Sequence, residues 1–182
     1  MDERTVIEQT RQWITDVVIG LNLCPFARRV FDGGLIRYTV TQAGDTDSLS
    51  AVLGAELHAL ADAPPDEVET AFLIHPNVLG DFRAYYDFAL EAVSWLAELG
   101  LEGVIQIATF HPLYQFDGTQ PDDVENYTNR SPFPMLHLLR EDSISAVNDD
   151  PEALASIPRR NVETLRRLGI ANVKAMLGRA TS

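Results

Sequence analysis

Apolar residues recur along this chain with two periods, and the alternation between them predicts the order of elements. Val6, Trp13, Val17 and Leu21, with Ile14 and Val18 beside them, fall mostly at helical spacing, so the stretch from Arg4 to Leu21 reads as an amphipathic first helix. Leu35 to Val40 follows a Phe-Asp-Gly-Gly stop and is rich in aromatic and β-branched residues, which predicts a strand. Asp45 or Thr46 can cap a second helix that carries Leu49, Val52, Leu53, Leu57 and Leu60 and ends at Ala-Pro-Pro, residues 63–65. Thr70 to Ile74 is a short buried strand. Residues 80–99 form a helix with Phe82, Tyr85, Tyr86, Ala89, Leu90, Val93, Leu96 and Ala97 inward, closed by Gly100, and Val104 to Phe110 is the next strand. Met135 to Leu139 fits a strand with Met135, His137 and Leu139 on one face, followed by a short helix through Ile144 and Val147. Residues 159–177 close the chain as a helix carrying Val162, Leu165, Leu168, Val173 and Leu177.

Strands alternating with helices over short connections predict an α/β fold, with a central, largely parallel sheet of three or four strands flanked by helices. The chain has 182 residues, the length of one domain, and residues 1–182 are read as one unit with a long polar loop at about 112–134. Two strands end in His-Pro, at His75-Pro76 and His111-Pro112, where proline stops the ladder. Ligands of open α/β sheets bind beyond the carboxyl ends of parallel strands, so the two imidazoles are expected on one binding edge.

Composition narrows the class. With 46% hydrophobic and 23% charged residues the chain is an ordinary globular one, and no apolar run approaches the roughly 20 residues of a membrane-spanning helix. The N-terminus, MDERTVIEQT, lacks the basic and apolar regions of a secretory signal, and a single cysteine, Cys24, has no internal partner; both point to the cytoplasm. A formal charge of −13 argues against nucleic acid, because affinity for phosphate backbones comes from Lys and Arg. The charge is uneven, since residues 151–182 hold Arg159, Arg160, Arg166, Arg167, Lys174 and Arg179 against Glu152 and Glu163. A basic C-terminal helix of this kind is most simply a solvated face; docking on the acidic body or on a second subunit of a homo-oligomer is the alternative.

The candidate chemistry lies in two polar clusters. Asn126 to Glu141 reads NYTNRSPFPMLHLLRE and gathers carboxamides, guanidiniums, a hydroxyl, an imidazole and a carboxylate around two prolines. Just upstream, FHPLYQFDG sets His111 and Tyr114 after a buried strand, and the two clusters are expected to share one pocket. His111 at the strand end can act as general acid or base. Cys24, in Asn22-Leu23-Cys24-Pro25, reads as the start of a short helix with Arg28 one turn on, which would lower its thiol pKa and make it a nucleophile; a small buried apolar group is the bland alternative. Arg130, between Asn129 and Ser131 and stiffened by Pro132 and Pro134, is built to clamp an anion, or else to pin the loop. Asn126, Asn129, Ser131, Tyr114 and His75 complete the candidate substrate-binding set. No Walker loop or dinucleotide glycine fingerprint is present, so no nucleotide cofactor is indicated.

The segments GLNLCPFA (Gly20 to Ala27), LIHP (Leu73 to Pro76), FHPLYQFDG and NYTNRSPFPMLHLLRE together resemble a widespread bacterial family known only as domain of unknown function 1415. The likeness runs from about Trp13 to about Ile144 and implies a bacterial, single-domain, soluble protein without naming a reaction. The residues themselves point to an enzyme acting on a small anionic metabolite or amino-acid derivative by His- or Cys-assisted chemistry. Two alternatives stand beside it. One is a non-catalytic ligand- or partner-binding module whose polar loop only orders itself; the other is a metal enzyme in which His75, His111 and His137 converge with Glu141 or Asp117.

Overall fold

A computed structural model describes residues 1–143 and 151–180. The first helix, α1 (Glu3–Trp13), begins where the Asp2 carboxylate accepts the Thr5 N–H, and it runs directly into a π-helical segment, Ile14–Ile19. The wider turn closes at Gly20, where a Cβ would lie 2.2 Å from the Asp16 carbonyl oxygen, so no larger residue fits. After α2 (Ala27–Asp32) come β1 (Ile36–Val40), α3 (Thr46–Asp62), β2 (Thr70–Ile74), α4 (Phe82–Glu98) and β3 (Ile105–Phe110). Asp45 and Asp81 cap α3 and α4 by accepting the N–H of Ser48 and Ala84. A 3₁₀ turn at Val124–Thr128 interrupts the polar loop, and β4 (Met135–Arg140), α5 (Pro151–Leu168) and α6 (Ile170–Ala180) complete the described chain. The expected closing helix is thus two helices, broken at Gly169, whose φ of +84° only glycine adopts without strain. The helix expected through Ile144 and Val147 lies outside the described residues.

The fold is α/β, but the sheet is mixed rather than largely parallel. Its order is β1-β2-β4-β3, with β1 and β2 parallel and β4 antiparallel to both β2 and β3. The three strands that alternate with helices do share one direction, as their spacing predicts. Helix α4 carries the chain past one strand position, and the long polar loop lets β4 return antiparallel into that gap.

Each face of the sheet buries its own layer. Ala71, Leu73, Ile105, Ile107, Leu136 and Leu138 meet α3 and α4, where Leu49, Leu53, Leu57 and Leu60 are wholly buried. Each of those leucines contributes about 1.5–3 kcal/mol of transfer free energy. The opposite face, with Phe72, Ile74 and Met135, packs on Trp13, Ile14 and Val17 and on Leu165 and Val173 of the C-terminal helices. Helix α4 is rotated from the expected orientation: Tyr85, Phe88, Ala89, Ala92 and Leu96 face the core, while Tyr86, Leu90 and Val93 are exposed. Among the described residues no helix is long and apolar enough to cross a membrane.

Candidate functional site

The two His-Pro strand ends do lie on one edge, as the shared direction of β2 and β3 requires. Both imidazoles are wholly buried and flank Tyr85, with ring centroids 5.8 Å from it for His75 and 4.9 Å for His111. His75 donates its Nδ1–H to the Val78 carbonyl at 3.1 Å, and its Nε2 is buried without a partner. His111 Nε2–H donates to the Leu79 carbonyl at 3.1 Å, while its Nδ1 accepts the Leu113 N–H at 3.0 Å. Carbonyls only accept and amides only donate, so these contacts fix both tautomers. The pair clamps a turn in which Leu79 is held at φ 58°, an uncommon conformation for a leucine. Burial pushes the His75 pKa down to about 4 and lowers that of His111.

The polar loop answers its own hydrogen-bonding groups. Asn126 is fully buried; its Oδ1 accepts from the Phe116 N–H at 2.9 Å and the Thr119 hydroxyl at 2.8 Å, and its Nδ2 donates to the Gln120 carbonyl at 2.7 Å. Asn129 donates from Nδ2 to the Thr109 carbonyl at 3.1 Å, and its own carbonyl accepts the His111 N–H at 3.2 Å, so it covers the outer edge of β3 where another chain would otherwise pair. Arg130 donates to the carbonyls of Tyr114 (3.2 Å) and Pro121 (2.6 Å) and lies 4.1 Å over the Tyr127 ring. The Ser131 hydroxyl donates to the Phe133 carbonyl at 2.7 Å, and the Tyr114 and Thr109 hydroxyls are 3.1 Å apart.

The C-terminal helices dock on the body through Leu165 and Val173, while their basic side chains, Arg159, Arg160, Arg166, Arg167, Lys174 and Arg179, remain exposed as a solvated face, two of them reaching this loop. Arg166 pairs with Glu125 at 3.0 Å and Lys174 with Asp122 at 2.7 Å. A groove of about 220 Å³ between loop and helix is lined in part by Arg130, Ser131 and Lys174.

Cys24 lies elsewhere, in a cavity of about 250 Å³ between the sheet and the N-terminal helices. Its walls are mainly carbon: Trp13, Ile14 and Val18 from the first helix and its π-helical extension, Phe26 and Val30 around α2, and Phe72, Ala108 and Phe110 from the strands. His137 and Thr70 form part of its sheet face, with Glu69, Arg140 and Ser143 also lining it. Glu69 is paired with Arg29, and the Arg140 guanidinium donates to the carbonyls of Leu60, Ala63 and Val68. The π-helical turn supplies Ile14 and Val18 to the wall; such turns recur at functional sites.

The single shared pocket expected from the sequence is therefore divided. His75 and His111 sit by α4, Arg130 and Ser131 by α6, and Cys24 with His137 in the apolar cavity. The converging histidines of the metal alternative also separate. Strand alternation turns His137 toward Phe72 and the N-terminal helices, away from the Tyr85 side, and among the described residues no three ligands gather to hold a metal. The strand spacing sets His137 on one face with Met135 and Leu139, and Thr70 is not among the candidate residues. The signal was there in two polar residues, each on the apolar face of a buried strand.

The activated thiol is corrected too. Asn22 has a left-handed backbone, φ 52°, and caps no helix, and α2 starts only at Ala27. Burial pushes the Cys24 pKa up, offset in part by the N–H groups of Phe26 and Ala27. Alkylation by iodoacetamide at pH 7.5 is expected to run roughly tenfold slower than in an unstructured cysteine peptide. A rate matching or exceeding the peptide's would contradict that burial.

A family model described as Protein of unknown function (DUF1415) matches residues 5–175. No curated protein and no solved structure matches the chain.

Proposed function

We propose, from the premise that the chain belongs to the DUF1415 family and takes no activity from a relative, that this protein binds a small, largely apolar molecule in the cavity beside Cys24 and His137. The observation that carries this reading is the cavity itself. An apolar space with a few polar groups in its wall is the usual form of a small-molecule site, and an engineered cavity of about 150 Å³ lined by aliphatic and aromatic side chains takes up benzene.

The polar groups present favour binding over acid–base or nucleophilic catalysis. A general acid or base works best with a pKa near the operating pH, whereas burial pushes His137 down to about 3. The Cys24 thiol is held protonated by the same burial. Both nitrogens of His111 are engaged within the protein. The anionic ligand expected from Arg130 has less support, because that side chain already orders the loop through two carbonyls and the Tyr127 ring.

Calorimetry and thermal shift with small aromatic probes such as toluene and indole test the reading. Binding by the wild type, lost in Ala108→Leu because the added side chain fills the cavity, is the expected result. That variant should also melt higher, as cavity-filling changes commonly do. If neither probe shifts the melting temperature, or binding persists unchanged in Ala108→Leu, the cavity is not the site.

A further inference from the structure

The cavity wall contains a fixed hydrogen-bond acceptor in an otherwise mainly carbon surface. His137 occupies the middle of the sheet, opposite Phe72 on β2 and Ala108 on β3. Its ring stacks on Phe72 at 3.9 Å between centroids and 10° between planes, which holds it in place. The Thr70 hydroxyl oxygen lies 2.6 Å from the Leu138 carbonyl and 2.7 Å from His137 Nε2. The carbonyl can only accept, so the single hydroxyl proton of Thr70 goes to Leu138 and the Thr70 oxygen must receive a proton from Nε2. Nε2 therefore carries the hydrogen and Nδ1 is a bare lone pair. Among the described residues no hydrogen bond engages Nδ1, and it is not among the polar atoms enclosed without a partner. The half-buried ring meets open space at the cavity it lines. Burial keeps the imidazole neutral, so the lone pair persists across the physiological pH range.

Two of the other polar groups fit an acceptor site, while the Ser143 hydroxyl and the Cys24 thiol in the lining can also donate. The Glu69 carboxylate is a second acceptor in the lining, and a ligand anion would meet both it and the Nδ1 lone pair. The Arg140 guanidinium is directed to backbone carbonyls. The rings of Trp13, Phe72 and Phe110 stand in edge-to-face contact, with centroids 5.3 and 6.4 Å apart, and make walls suited to a flat aromatic body. The volume of about 250 Å³ exceeds what benzene needs.

We infer that the ligand is a one-ring or fused two-ring aromatic molecule bearing a hydrogen-bond donor, of the phenol or indole class, with its O–H or N–H directed to His137 Nδ1. This rests on the binding reading above and specifies its chemistry. A site built around a buried acceptor discriminates against an isostere that lacks the donor, because the acceptor is then left unpartnered.

Titration with indole and with indene, which has the same shape but no N–H, tests the assignment in the intact protein. Indole is expected to bind at least about tenfold tighter than indene. In His137→Phe that preference should disappear or invert while indene still binds. Should the variant fail to fold, the imidazole nitrogen resonances of the wild type give an independent readout: the Nδ1 signal should move on adding indole and stay fixed on adding indene. Equal affinity for the two compounds with an unmoved Nδ1 signal would overturn the donor assignment and leave apolar binding intact. Absence of binding by both would remove the binding reading together with this one.

Discussion

Replacing Tyr85 by phenylalanine is expected to destabilise the fold by about 2–4 kcal/mol, although only one oxygen is removed. Tyr85 is fully buried on α4, and its hydroxyl donates to the Met135 carbonyl at 2.8 Å while accepting the Phe110 N–H at 2.9 Å. Phe110 and Met135 are opposed at the end of the β3–β4 pairing. The hydroxyl is inserted between them and takes the place of a direct ladder bond. Removing it leaves a buried donor and a buried acceptor unpartnered, each costing about 1–3 kcal/mol. Urea unfolding of the variant measures the loss, and hydrogen exchange at the Phe110 amide should accelerate by at least the same free energy. A loss under about 0.5 kcal/mol would mean that the two strands close over the gap and make the ladder bond directly.

Acid should weaken this protein well above the range in which carboxylates titrate. His75 and His137 are held neutral by burial, with pKa values pushed down to about 4 and about 3 from 6.5. In the unfolded chain both take up a proton as the pH falls through about 6.5, while in the folded chain they do not. The unfolded state then binds more protons, and stability falls as pH falls. The contribution is fully present above the unfolded value and is lost progressively toward the folded ones. Each histidine removes up to about 1.4 kcal/mol per pH unit in that window. The pair should leave the protein about 2–4 kcal/mol less stable at pH 5 than at pH 8. The helix-capping carboxylates are lowered from 3.8, Asp2 by the Thr5 hydroxyl and then its N–H and Asp45 by the Ser48 N–H, so their loss belongs to lower pH. Urea midpoints at pH 8, 6.5 and 5 read the effect, and His137→Phe should flatten the slope by roughly half. A midpoint that stays constant from pH 8 to 5 would show that neither imidazole is held neutral.

These expectations use side chains whose positions the sequence foretold unequally. The elements were legible because local chemistry determines them. Four leucines at helical spacing make α3, with Asp45 as its cap and Pro64 just beyond its end, and four apolar residues, Ala71 to Ile74, between Thr70 and His75 make β2. The common edge of His75 and His111 followed from the same reasoning, since strands joined through helices run the same way. The single basic helix did not survive, but the cause was local: Gly169 breaks it.

What the sequence could not decide was which neighbour each polar group would meet. The residues of NYTNRSP look alike whether they face a substrate or one another, because Asn126, Asn129 and Arg130 offer the same donors and acceptors in both cases. Only the closed loop shows them matched to the carbonyls and amides of residues 109–121. The place of β4 was likewise open. A return strand can add at the edge or enter between two others, and the pairing energy is summed over contacts distant in sequence. Its insertion between β2 and β3 set His137 against Phe72 and Thr70. The cavity belongs wholly to that tertiary level, for it is the space left where the π-helical turn at Ile14–Ile19, α2 and the sheet fail to meet, and no local pattern of residues encodes a gap between elements.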